Sequence, residues 1–376
     1  MSQVAVLLTL LMLASSAFAC SVPVFRYALE RWPADKFEAI VFHRGTLSDE
    51  QKAIVDQINA EDNVANIHAQ TIDLDNSPDP ELLKFWEAHG TETLPSVMLF
   101  YPRTARIPVP AWTGPLNADT LENVMDSPVR RQIARRLIKG ESAVWVFLES
   151  GDKKKDDASF AILEKELKVQ QNKIKLGEID EADLAQGLLM LDPAELKVKF
   201  STIRLSRKDP KEAIFIETLL GTEEDLRDFD EPMAFPVFGR GRALYALIGK
   251  GIQASVIEQA GKDLTGPCTC TIKDQNPGTD LLMSVAWDTL IEPFVEVEKE
   301  LPPLKGLGGF VVDDEKLEDV PVEEQEGDSN ESIEVASDDS PKAESSSPLI
   351  LNVLISVAVV LGVVVVGSVA LSSKTG

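Results

Sequence analysis

The order of apolar runs and helix-capping signals predicts an α/β fold, arranged as two successive α/β regions between a leader and a membrane-spanning helix. Three observations predict it. Short apolar runs alternate with helical patterns through most of the chain, the longest uncharged segments sit at its two ends, and an acidic stretch separates the second of these from everything before it. The 376 residues are 44% apolar, enough for a sizeable core. The formal charge of −25 argues against general nucleic-acid binding, which rests on Lys and Arg meeting phosphate, and no nucleic-acid partner is expected.

Residues 1–19 read as a signal peptide. Val4–Leu13 is an apolar run too short to span a bilayer, and Ala17-Phe18-Ala19 is a small-x-small cleavage site that leaves Cys20 as the first mature residue. The leader departs from the pattern in having no Lys or Arg before its apolar run. A cysteine after the cut raises lipidation, but Phe18 is bulky for a lipobox and ordinary cleavage is the preferred reading. At the other end, Leu349–Leu371 is uncharged and long enough to cross a bilayer as a helix, which leaves 372–376 as a cytoplasmic tail. A lipid-anchor signal starting near Ala336-Ser337 is the rival, and Lys374 in the tail argues against it. Residues 301–348 open with Pro302, Pro303 and Gly306–Gly309. Within them, 313–347 hold fourteen acids against two lysines, a net of −12 and about half of the chain's charge, so this linker is expected to be a disordered, solvated tether. The expected placement is a single-pass protein in the cell membrane with its N-terminal part on the periplasmic, extracytoplasmic side.

In the first region, 20–140, Glu38–His43 reads as a buried strand. Ser48-Asp49-Glu50 caps a helix carrying Ile54, Val55 and Ile58 on one face. Ile67–Leu74 is a second strand, Pro80–His89 a helix stopped by Gly90, Ser96–Phe100 a third strand led by Leu94-Pro95, and Trp112–Gly114 a fourth before a helix near Asp119. The second region, 141–300, starts with the strand Ala143–Leu148, which stops at Glu149–Asp152. A long charged helix, a strand over Phe200–Leu205 and an apolar stretch Ala213–Leu220 follow. Phe235–Phe238 then leads to Ala243–Ile248 and a helix from Ala254.

The order from Glu38 to about Met125 resembles a thioredoxin-like domain, most specifically in Asp73-Leu74-Asp75, the following helix, and Leu94-Pro95 ahead of an apolar strand. The second region resembles the same family more loosely, with an insertion at 176–200, so the resemblance implies tandem thioredoxin-like domains, the second divergent. It also implies cis prolines at Pro95 and, by the echo in Phe235-Pro236, at Pro236. Such a proline leaves the preceding backbone available to an extended ligand. The family's Cys-x-x-Cys follows its first central strand. Here that place reads His43-Arg44-Gly45-Thr46-Leu47-Ser48, so ordinary dithiol exchange is not expected. The mature start Cys20–Trp32 and the segment Asn276–Met283 also resemble uncharacterised envelope proteins of planctomycete-type bacteria, a resemblance that supplies no activity.

Three further groups could carry chemistry. Cys268-Thr269-Cys270, with Cys20 as a third sulfur, could hold copper or zinc, form a labile disulfide, or pin the mature N-terminus to the second region. With so few cysteines in an exported chain, a structural bond or inert thiols is the preferred reading. Arg130, Arg131, Arg135 and Arg136, with Lys139, form a basic cluster on one helix: a patch for an anion or acidic partner, or a solvated face. Phe238–Arg242 is a Gly–Arg turn, better explained as a hairpin than as a phosphate loop. No nucleophile, metalloprotease or Ca²⁺ motif is present, and no catalytic residue is assigned. The expected role is therefore a non-catalytic binding or scaffold protein, its partner a protein or membrane complex of the envelope. The alternative is an envelope metal-binding or thiol-redox protein using Cys20 with Cys268 and Cys270.

Overall fold

A continuous apolar strand marks the middle of each of two mixed sheets in the computed structural model, which describes residues 20–76, 78–91, 93–268 and 272–291. The expected leader, linker, membrane helix and tail, and Cys270, lie outside these residues. Among the described residues no helix is long and apolar enough to cross a membrane.

Helix α1 (Val24–Arg31) comes first. The first sheet then forms from β1 (Phe37–His43), β2 (Ile67–Asp73), β3 (Ser96–Phe100) and β4 (Pro110–Pro115), in the order β2-β1-β3-β4. β2 runs parallel to β1, and β3 and β4 are successively antiparallel. The connections are α2 (Asp49–Ile58), α3 (Pro80–His89) and, after β4, α4 (Ala118–Met125). Ser48 closes the expected capping box with Gln51, and Asp79 and Asn117 cap the other two helices.

Helix α5 (Pro128–Ile138) leads to the second sheet, with β5 (Ala143–Leu148), α6 (Lys153–Lys173), α7 (Glu181–Ala185), β6 (Phe200–Leu205), α8 (Ala213–Leu220) and β7 (Met233–Phe238). It ends with β8 (Arg242–Ala243), β9 (Leu247–Ile248), α9 (Ala254–Thr265), β10 (Thr279–Asp280) and α10 (Trp287–Ile291). Its order is β10-β8-β7-β5-β6. β6 is parallel to β5, and β7 and β8 are successively antiparallel, so the order and directions of the first sheet recur. All six residues of β5 are buried, as expected for a strand covered on both faces.

The described residues belong to one compact unit. Helix α1 does not join the sheet that follows it. Phe25, Tyr27 and Ala28 enter the core of the second sheet with Trp145 and Phe147. Gly239 and Gly241, both at positive φ, make the β7–β8 hairpin, and a Cβ on Gly239 would meet Ala28. Arg240 from this hairpin donates to the carbonyls of Leu29 and Glu30 at the end of α1. Helix α8 is shared: Ile214 enters the first sheet's core, while Phe215, Ile216 and Leu219 enter the second's. The insertion at 176–198 covers the second sheet's core through Leu189 and fastens the start of the described chain. There Ser21 donates from N and Oγ to Asp183.

Residues 276–284 form the seam. Asp280 is buried and receives Arg242 at 2.8 Å, Lys273, and the Asp35 N–H at 2.7 Å. Leu281 and Met283 enter the second sheet's core while Leu282 enters the first's. Asn66 completes the stitch. Its amide donates to the carbonyls of Asp35 and Leu281 at 2.7 and 3.1 Å and accepts from the Met283 N–H at 2.7 Å. Replacing Asn66 by Ala leaves that buried N–H unsatisfied, and the expected cost is about 2–3 kcal/mol in equilibrium urea unfolding. A loss within experimental error would show that the seam contributes little.

Candidate functional site

Ligand crevices in α/β sheets form where parallel strands end, beyond their carboxyl ends. In the first sheet β1 and β2 end together, at His43 and Asp73. Phe42 lies opposite Ser96, so one residue further places His43 across from Pro95. The Leu94–Pro95 bond is cis, and it is the one cis peptide among the described residues.

The loop after β1 is tied down by its own chain. His43 Nδ1 lies 2.8 Å from the Gly45 carbonyl, which can only accept, so Nδ1 carries the proton and Nε2 the lone pair of the neutral ring. Asp73 accepts from the Gly45 and Asp75 N–H groups, Arg44 pairs with Asp75, and Ser48 caps α2. Across the crevice, the Pro95 carbonyl is taken by the Leu116 N–H at 3.0 Å, and Ser96 Oγ donates to Gly114. Over one face of the sheet α3 packs an apolar side, with Trp86 toward the crevice end and Phe85 toward the far end, where Phe100 pairs with Glu38. None of its side chains is fully buried, and Leu82, Leu83, Phe85 and Trp86 are half-buried. Phe85 meets Phe100 edge-on at 5.5 Å and Trp86 meets Phe42 at 5.2 Å. The arrangement offers one imidazole and an aromatic surface, with no thiol in the loop.

Pro236 is trans, contrary to expectation. It lies inside β7 opposite Trp145, where extended geometry requires the longer trans Cα spacing. Its carbonyl accepts from Leu244 between β8 and β9, so the side on which it lacks an N–H falls in the gap between those two short partners. The proline placed as Pro95 is, immediately before the third strand, is Pro232, and it too is trans.

The arginines do not form one exposed patch. Arg130, Ile133, Ala134 and Leu137 make the buried face of α5. Arg130 donates to the carbonyls of Asn123, Val124 and Leu282, and burial among these neutral partners lowers its pKa to about 10. Arg136 binds Ser201 and the Thr202 carbonyl, Arg131 pairs with Asp126, and Arg135 is exposed. Beside Ser127, at the start of α5, lies the buried carboxylate of Glu212. It accepts from the Val129 N–H at 2.8 Å while Oε2 has no partner. Burial pushes its pKa up, outweighing Ser127, Val129 and Arg130, which favour the anion. The folded protein thus holds this proton more tightly than the unfolded chain, so stability falls as pH rises above the ordinary glutamate range. Glu212→Gln keeps the bond to Val129 and is expected to flatten that slope, read from unfolding midpoints across mildly acidic to neutral pH. An unchanged slope would place the titration elsewhere.

Cys20 and Cys268 are both buried in one core cluster, that of the second sheet, and not at the β1 crevice. The backbone of Cys268 donates to Val22, beside the bridge between Pro23 and Pro267. Cys20 is a buried free thiol, and burial raises its pKa, which opposes thiolate chemistry. Tyr27, held above its ordinary value chiefly by burial, is near enough to both sulfurs to feel their charge. Among the described residues no group of three or more His, Cys, Asp or Glu is placed to hold a metal. Alkylation of native Cys20 by iodoacetamide at pH 8 is expected to run at least ten-fold slower than in urea, followed by peptide mass spectrometry; equal rates would show an accessible thiolate.

Sequence reasoning missed the seam and the Arg26–Glu30 pair, which is buried on α1. The charged residues at i and i+4 within Val24–Arg31 were the available signal. Comparison with protein-family models and with curated proteins found no match.

Proposed function

We propose that the protein is a membrane-anchored binding or scaffold protein of the extracytoplasmic side, built on two thioredoxin-like units and acting without catalysis. Its partner is a protein or membrane complex of the envelope. One observation carries the reading: the strand order β2-β1-β3-β4, with β1 ending in a self-bonded, thiol-free loop. The family's chemistry needs a dithiol at that turn. Here the described thiols lie in the other sheet's core, which leaves the crevice a surface for contact. Anchoring falls to the uncharged 349–371 segment on its acidic tether. A lipid on Cys20 would have to be attached to a side chain that is buried in the second sheet's core.

The burial of Cys20 and Cys268 in one core cluster favours the second reading, an envelope thiol or copper- or zinc-binding protein. The two readings part in a single comparison on the full chain in lipid nanodiscs. The triple variant Cys20→Ala, Cys268→Ala, Cys270→Ala is expected to match wild type in background disulfide reduction and in crosslinking to its envelope partner. Phe85→Glu with Trp86→Glu is expected to weaken crosslinking about ten-fold. Turnover or stoichiometric metal lost only in the triple variant would install the second reading instead.

A further inference from the structure

A cleft of about 430 Å³ opens on the second sheet's side of the molecule, among α1, the end of α5, the insertion and α10. Its size falls within the range of small-molecule sites. Phe25, Leu29, Ile138 and Leu196 give it apolar walls, and Arg26, Lys139, Lys197 and Lys199 line it against one acid, Glu195. In a chain of formal charge −25, four cations line this cleft; with Glu30 paired to Arg26, Glu141 to Lys199, and Glu195 beside them, the local balance is a single positive charge.

Arg26 is the built element. It is 7% exposed, and its Nε and Nη2 are both held by Glu30 Oε1, Nε at 2.6 Å and Nη2 at 2.5 Å. Glu30 is itself fixed, because its Oε2 accepts the Met190 N–H at 2.6 Å. The guanidinium is therefore immobilised; among the described residues Nη1 makes no hydrogen bond, and it is not a sealed, orphaned atom. A planar donor set of this kind suits a carboxylate, and it is rigid before any ligand arrives. Lys199 is partly neutralised by Glu141 at 3.0 Å, while Lys139 and Lys197 form no ion pair among the described residues.

We propose that this cleft binds a medium-chain carboxylate, its headgroup on Arg26 Nη1 with Lys139 and Lys197 nearby and its hydrocarbon chain along Phe25, Leu29, Ile138 and Leu196. The site is distinct from the β1 crevice and does not depend on the thioredoxin-like reading. The probe is octanoate, followed by saturation-transfer NMR on the full chain in lipid nanodiscs, with empty discs as the reference. Saturable transfer above empty discs is expected, and octan-1-ol should bind at least ten-fold more weakly. Arg26→Met combined with Glu30→Gln, which leaves no buried carboxylate unpaired, is expected to lose at least ten-fold in affinity. Lys139→Gln with Lys197→Gln alters exposed side chains, spares the fold, and should cost about three-fold. No transfer above empty discs would overturn the proposal. So would octanol binding as tightly as octanoate, an unchanged affinity in both variants, or octyl phosphate binding more tightly than octanoate.

Discussion

The carboxamide of Asn66 and the carboxylate of Asp280 hold the seam on which the rest of the molecule depends. Asn66 spends both of its amide hydrogens and its oxygen on backbone groups from two parts of the chain. Asp280 is buried with two cations around it, Arg242 and Lys273, and Lys273 also reaches Asp35 at 3.1 Å. Two acids and two bases thus neutralise one another where water is scarce, and each remaining donor finds a carbonyl. Two sheets joined by a plain linker would hinge. These share helix α8 and a strap whose alternate side chains enter opposite cores, which ties the two sheets together.

The same economy explains why the chain's first described elements belong to its later sheet. Helix α1 supplies Phe25, Tyr27 and Ala28 to that core, and its terminal carbonyls take Arg240 from a hairpin that only glycine can make this tight. The segment between α6 and β6 has a physical purpose in the same terms. It binds Ser21 through Asp183, gives Glu30 a backbone donor, and covers Leu189. The second sheet diverges from the first because it must also bury the start of the chain.

Local physics was legible in the sequence. β1 and β5 read as continuous apolar runs because both faces are covered, and Ser48 and Gly90 marked helix ends because they serve orphan backbone groups. Long-range pairing was not. Nothing near α1 says which sheet it joins, and Asn276–Met283 carries no periodicity because its side chains divide between two cores. Pro236 misled because a proline amid aromatics looks the same before a strand as inside one; only the register with Trp145 separates Pro236 from Pro232. Arg130 could have been read correctly. Its spacing to Ile133, Ala134 and Leu137 places it on the apolar face, a signal outweighed by the charge of the run.

Both central strands end the same way, and that likeness bears most directly on function. After β1, Asp73 accepts the Gly45 N–H and Ser48 caps α2 through the Gln51 N–H. After β5, the buried carboxylate of Asp156 takes the Ser150 N–H and hydroxyl and the Gly151 N–H, and Asp152 caps α6. A turn that activates a nucleophile must leave donors aimed outward, toward developing negative charge. After β5 the donors turn inward, to a carboxylate and a hydroxyl of the same chain, and after β1 the Gly45 N–H does the same.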